Sequence, residues 1–186
     1  MNGIEAGPSS QWLFPKSALI LTPSVATSAI PLEKELYDRA RGVEFLFRLG
    51  SSLQLPTTAL FTAATWFHRF YMRNSLEDYH RQDVAAACIF LATKTEECGR
   101  KLRDVARVCQ SKASSVSAES LSDEEVERCQ EAILLTEEAL LDALCFDFII
   151  ANPHEILVDL FHRHTPLAEE NEDQLKDLAW CIAHDS

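Results

Sequence analysis

Residues 84–97 read Val84-Ala85-Ala86-Ala87-Cys88-Ile89-Phe90-Leu91-Ala92-Thr93-Lys94-Thr95-Glu96-Glu97. The stretch 85–92 holds no charged or hydroxyl side chain, so a helix built on it is apolar almost all round. Such a helix is stable only when neighbours cover it on several sides. Residues 80–95 are therefore expected to form the central helix of a bundle, and the rest of the chain must supply its cover.

Working outward, that cover is found as three- and four-residue apolar steps. Leu36, Ala40, Val43 and Phe47, then Leu46, Leu49 and Leu53, predict a helix after Pro31. Pro56-Thr57 opens another, with Leu60, Ala63, Ala64, Phe67 and Phe70 or Tyr71 on one face. Downstream, Val105 and Val108 mark a short helix over 102–109, and 111–122 reads as a serine-rich connecting loop. Ser122-Asp123-Glu124-Glu125 is a capping box that starts a long helix running to about residue 144. Its stripe is Val126, Ile133, Leu134, Leu140, Leu141 and Leu144. Asn152-Pro153 breaks the chain, and helical pieces follow over 154–161 and 174–183. No strand alternation or hairpin turn signal occurs, so the fold class is all-α. The first thirty residues read as loop, punctuated by Pro8, Pro15, Pro23 and Pro31. Trp12 and Phe14 within them are expected to dock onto the folded part.

Composition narrows the classes. The 186 residues are 47% hydrophobic with only five glycines, which suits one domain, or one domain plus part of another. No apolar run approaches the roughly 18 residues of a membrane span, and residues 13–30 lack the basic start and cleavage site of a signal peptide. An intracellular protein with no membrane role is expected. Six cysteines without CxxC spacing are expected as buried free thiols. Net charge is −12, spread unevenly: residues 37–112 hold twelve Lys/Arg against eight Asp/Glu, and residues 113–186 three against eighteen. Direct nucleic-acid binding needs a basic footprint that this chain lacks overall. No Gly-rich phosphate loop, G-x-S-x-G elbow or HExxH occurs. His162 and His164 point to different faces of a helix, and the acidic run 124–142 reads as a solvated face. No catalytic residue, metal site or cofactor is expected.

Two charges stand where the core should be. Lys94 follows Phe90 and Leu91 by four and three residues, and Glu137 follows Ile133 by four and precedes Leu140 and Leu141. Either the lysine stem snorkels and the glutamate edges its stripe, or the two form an ion pair that makes their burial tolerable.

Trp66-Phe67-His68-Arg69-Phe70-Tyr71-Met72, followed by Phe90-Leu91-Ala92-Thr93-Lys94-Thr95-Glu96-Glu97 and then Leu144-Cys145-Phe146-Asp147-Phe148, resembles the cyclin box. The HRFYM string is more similar to transcriptional cyclins of the K and T types than to the C or L types. Trp12-x-Phe14, Leu19 and Thr22-Pro23-Ser24 resemble the leader of that subgroup. The resemblance implies a leader over 1–31, a five-helix cyclin box over 32–149, and over 150–186 the incomplete beginning of a second cyclin fold. The apolar faces around Leu157, Leu160, Phe161, Leu178, Trp180 and Ile182 would then lack most of their partners, as in a fragment.

The resemblance also implies a site. Lys94 and Glu137 match a pair at the kinase-binding surface, Thr95 the contact position after the lysine, and Leu141, Phe146 and Phe148 apolar positions that touch the kinase's regulatory helix. For those three, ordinary core is an equally open reading, since interface cores resemble domain cores. Arg39 matches an arginine of structural role. One departure is Cys98-Gly99-Arg100-Lys101, where the subgroup usually continues through proline, so a different loop is expected there. The implied function is a nuclear regulatory subunit, not an enzyme. It would bind and activate a cyclin-dependent kinase and, through it, meet the RNA polymerase II machinery in elongation. A non-kinase helical scaffold or adaptor with a cyclin-like fold is the alternative.

Overall fold

The computed structural model describes residues 10–151, 153–163 and 169–185. Pro8, Asn152 and His164, each given a role above, lie outside them. Every regular element among the described residues is helical. A 3-10 turn at Ser10–Trp12 and the short helices α1 (Lys16–Ile20) and α2 (Pro23–Ala26) precede α3 (Leu32–Ser52) and α4 (Thr57–Tyr71). Then come α5 (Arg81–Thr95), α6 (Leu102–Ser114), α7 (Asp123–Leu144), α8 (Pro153–Arg163) and α9 (Glu169–Asp185). Ser10–Phe148 forms one compact unit, and the chain from Ile149 onward belongs to another.

The central helix is where the apolar run placed it. α5 packs against α3, α4, α6 and α7, and Val84, Ala85, Ala86, Ala87, Cys88 and Ile89 are fully buried in succession. Around it lie Leu46, Leu49, Trp66, Phe67, Phe70, Ile133, Leu140 and Leu144. Burying each large side chain of this kind contributes about 1.5–3 kcal/mol relative to exposure. Close approach of α3 to α4 and α5 needs glycine at two positions. A Cβ at Gly42 would fall 2.2 Å from Phe67 Cζ, and one at Gly50 2.1 Å from Leu60 Cδ2.

Helix starts follow local chemistry. Ser122 Oγ accepts from the Glu125 N–H at 3.3 Å, and Glu125 Oε2 accepts from the Ser122 N–H at 2.9 Å, completing the capping box. Those bonds from Ser122 hold the Glu125 carboxyl below its ordinary range. His80 caps α5 through the Gln82 N–H. Helix ends are less conventional. α3, α5, α6 and α7 all close through a residue in the left-handed region, and none of these is glycine: Gln54 (φ 52°), Glu97 (53°), Ser115 (57°) and Cys145 (51°). In each case the next N–H reaches back five residues, as Leu55 to Gly50, Cys98 to Thr93, Val116 to Ser111 and Phe146 to Leu141. This is the Schellman closure, made here without its usual residue.

Several expectations need correction. Residues 10–30 are not simple loop but carry one 3-10 turn and two short helices. Hydroxyls hold them down: buried Ser24 accepts from the Leu76 N–H at 3.0 Å, and buried Thr22 donates to Glu35. α6 runs to Ser114 rather than 109, taking the start of the serine-rich segment into helix. On α3 Leu46, Leu49 and Leu53 are buried as expected, but Leu36 and Ala40 are exposed, and Glu35, Asp38, Arg39 and Gly42 are buried instead. Arg39 explains the exchange. It donates to Glu35 Oε1 at 2.6 and 2.8 Å and to the His68 and Tyr71 carbonyls at 3.2 and 2.6 Å, satisfying the C-terminal end of α4. Leu134, placed in the α7 stripe, is exposed. Of the cysteines, Cys88 and Cys109 are buried, Cys98 and Cys129 half-buried, and Cys145 and Cys181 exposed.

The 98–101 segment has its own solution. Arg100 donates to the Leu53 and Gln54 carbonyls at 3.0 and 3.1 Å, tying the α5–α6 connection to the end of α3. In the second unit α8 and α9 pack on each other, leaving Leu160, Leu178, Trp180 and Ile182 exposed and Leu157 and Phe161 half-buried. Among the described residues no helix is long and apolar enough to cross a membrane. No group of three or more His, Cys, Asp or Glu is placed among them to hold a metal ion.

Candidate functional site: the α5–α7 surface

Lys94 stands in the last turn of α5, where a cation favours the helix C-terminus, and Glu137 in the third quarter of α7. The side-by-side packing of these helices brings the two together from 43 residues apart. Lys94 Nζ donates to Glu137 Oε2 at 2.8 Å and lies 2.6 Å from Oε1. The ion-pair reading of the two charges therefore holds. The pair is asymmetric: the lysine side chain is 46% exposed and the glutamate 10%. Both carboxylate oxygens of Glu137 face the ammonium.

Phe90, one turn before Lys94 on α5, places its ring 4.1 Å from the ammonium. This cation–π contact fixes the lysine from a second side. Spacing along the helix put Phe90 beside Lys94, but its half-buried position was not legible as part of the site.

The other candidate residues divide. Leu141 is half-buried, one turn beyond Glu137 on the same face of α7. Phe146 is 64% exposed and is not core. Phe148 is half-buried and bridges, with its ring 5.8 Å from buried Trp66 and 6.3 Å from Phe146, both edge to face. The Phe146 N–H bonds the Leu141 carbonyl at 3.2 Å, so the helix closure itself ties Leu141 to Phe146. Thr95 is exposed, but its hydroxyl turns back to the Ala92 carbonyl of its own helix at 3.3 Å and is not brought to the Lys94–Glu137 pair.

Sequence reasoning missed the apparatus behind Phe146. Asp147 Oδ2 accepts from Trp12 Nε1 and Gln11 Nε2, both at 2.9 Å, and the Trp12 ring lies 4.6 Å from the guanidinium carbons of Arg69 and of Arg73. Docking of Trp12 was expected. Its target could have been suspected from Arg69 and Arg73, two arginines four residues apart at the end of α4 and in the turn after it. Phe14 is half-buried.

The α5–α7 surface thus carries a half-buried ion pair, a half-buried leucine one turn further along α7 and an exposed aromatic residue in the turn that closes that helix. The chain belongs to the cyclin family: the model of the cyclin N-terminal domain matches residues 22–149. It is 42% identical over 180 residues to Cyclin pch1 of Schizosaccharomyces pombe, covering 95% of this chain and 51% of that one. It is 31% identical to human Cyclin-K, over 94% of this chain and 29% of the relative. Cyclin-T1-4 of Arabidopsis thaliana is also 31% identical, over 95% and 32%. The similarity is thus to K- and T-type cyclins, and the chain spans about half the length, or less, of these relatives.

Proposed function

We propose that this chain is the regulatory subunit of a cyclin-dependent kinase that phosphorylates the C-terminal repeat domain of RNA polymerase II during elongation, acting in the nucleus. The observation that carries the reading is the half-buried Lys94–Glu137 pair on a surface whose α7 continues into half-buried Leu141 and exposed Phe146. Kinase catalysis needs the strand lysine and the regulatory-helix glutamate brought together with the metal-binding loop in place. A partner that binds only the inward position of that helix shifts the kinase towards its active geometry. Lys94 and Glu137 supply hydrogen-bonding groups that set register, Thr95 a hydroxyl at the rim, and Leu141, Phe146 and Phe148 the apolar area. The substrate class and the nuclear location rest on the K- and T-type similarity. Residues 32–149 are the cyclin box in this reading, 1–31 its leader and 150–186 the opening of a second cyclin fold.

The test is a kinase assay on polymerase-repeat peptide with a purified transcriptional cyclin-dependent kinase, with and without this chain. Stimulation that is lost in Lys94→Ala, while the fold survives, is the expected result. Absence of binding by the folded chain would replace this reading with a non-kinase scaffold.

A further inference from the structure

We propose that Trp12 is a positioning residue for kinase capture: with Gln11 it latches the turn after α7 that presents Phe146 and Phe148. This rests on the kinase-binding reading above.

The turn is strained in a defined way. Cys145 and Phe146 are consecutive non-glycine residues with φ of 51° and 57°, a region that side-chain-bearing residues avoid. One such residue is an ordinary helix closure, whereas two in succession persist only where the surroundings over-determine them. Those surroundings come from the leader. Asp147, next in the chain, accepts on Oδ2 from both Trp12 Nε1 and Gln11 Nε2. Arg73 joins the two sides of the turn, donating to Gln11 Oε1 at 2.9 Å and to Cys145 Sγ at 2.7 Å. Arg69 and Arg73 in turn hold the Trp12 ring against α4.

The latch joins the presenting turn to the outer side of α4 through Arg69. Trp12 is only half-buried, and the leader has a second anchor at Thr22 and Ser24. Removing the indole therefore exposes little core and leaves α2 in place. What it releases is the turn, and with it the fixed direction of the Phe146 ring. An aromatic anchor that must be ordered at the moment of binding binds more weakly than one ordered beforehand.

The experiment uses the full chain and a purified catalytic subunit of a transcriptional cyclin-dependent kinase, with affinity by calorimetry, thermal melting, and amide hydrogen exchange at residues 145–148. Trp12→Ala should weaken binding about tenfold, from loss of two cation–π contacts and a charge-assisted hydrogen bond. The melting temperature should change little, and exchange in the turn should accelerate. Trp12→Phe keeps a ring for the two guanidiniums but removes the N–H, and should fall between. In a Phe146→Ala background the Trp12→Ala effect should largely vanish, whereas in a Lys94→Ala background it should persist. Unchanged affinity in Trp12→Ala, unchanged exchange in the turn, or an undiminished effect in the Phe146→Ala background overturns the inference alone. Failure of the unsubstituted chain to bind removes the kinase reading, and this inference with it.

Discussion

Replacing Lys94 separates what the Lys94–Glu137 pair does for the fold from what it does for a partner. A buried pair that loses one member costs 3–5 kcal/mol and an exposed one under about 1 kcal/mol. Here the carboxylate is buried and the ammonium nearly half exposed, so Lys94→Ala should destabilise the free chain by about 1–2 kcal/mol. Part of this is the lost contact with Phe90. Glu137→Gln leaves a lysine that water can solvate and should cost less than about 1 kcal/mol. The double change Lys94→Met, Glu137→Leu removes both charges and should bring stability back to within about 1 kcal/mol of the original. Partner binding should behave differently. Each single change and the double should cost on the order of 2–5 kcal/mol in kinase association, roughly thirtyfold to a few thousandfold in Kd. Urea unfolding reads the first quantity and titration calorimetry the second. A double variant that regains both stability and affinity would show that the pair only holds α5 to α7, and the assignment of the site would fall.

Three further outcomes follow from the fold. Gly42→Ala should destabilise by about 1–3 kcal/mol, because the added Cβ meets the ring of fully buried Phe67, and urea unfolding would show it. Gln54→Gly and Ser115→Gly should each leave stability unchanged or raise it by up to about 1 kcal/mol, since left-handed backbone disfavours a Cβ while glycine also loosens the unfolded chain. A loss beyond that in thermal melts would contradict the assigned closures. Burial pushes the Tyr71 hydroxyl and the Cys88 thiol above their ordinary ranges. Raised acids contribute stability that is complete below their unfolded values and declines above them. Stability should therefore fall as pH rises past about 8.5, and Cys88→Ala should flatten part of that decline in unfolding curves taken across pH 8–10.

Much of the architecture was legible because it is written in local patterns. The charge-free run 85–92 identified α5 as the central helix, and Ser122 with Glu125 marked the start of α7 to the residue. Helix ends were less legible for a physical reason. Closure by Gln54, Glu97, Ser115 and Cys145 in left-handed backbone leaves no glycine to mark them, and α6 accordingly ran past its expected end. On α3, apolar periodicity favoured the Leu36 side, but the Arg39–Glu35 pair, with two donors on one carboxylate oxygen, and the α4 carbonyls draw the polar face inward. Periodicity cannot see that a charged face is satisfied by groups from another helix.

The candidate site divides along the same line. That Lys94 and Glu137 were out of place followed from their positions on apolar faces, and the family followed from motifs contiguous in the chain. That they pair depends on two helices meeting across 43 residues. Whether Phe146 and Phe148 are core or surface was open, because an aromatic residue suits either environment. The turn after α7 decided it, exposing one ring and leaning the other on Trp66. The leader's grip on that turn joins Trp12 to Asp147 over 135 residues. Caps and hydrophobic periods are short-range properties that a linear sequence carries outright, whereas an ion pair or a latch exists only where separate elements are packed within hydrogen-bonding distance.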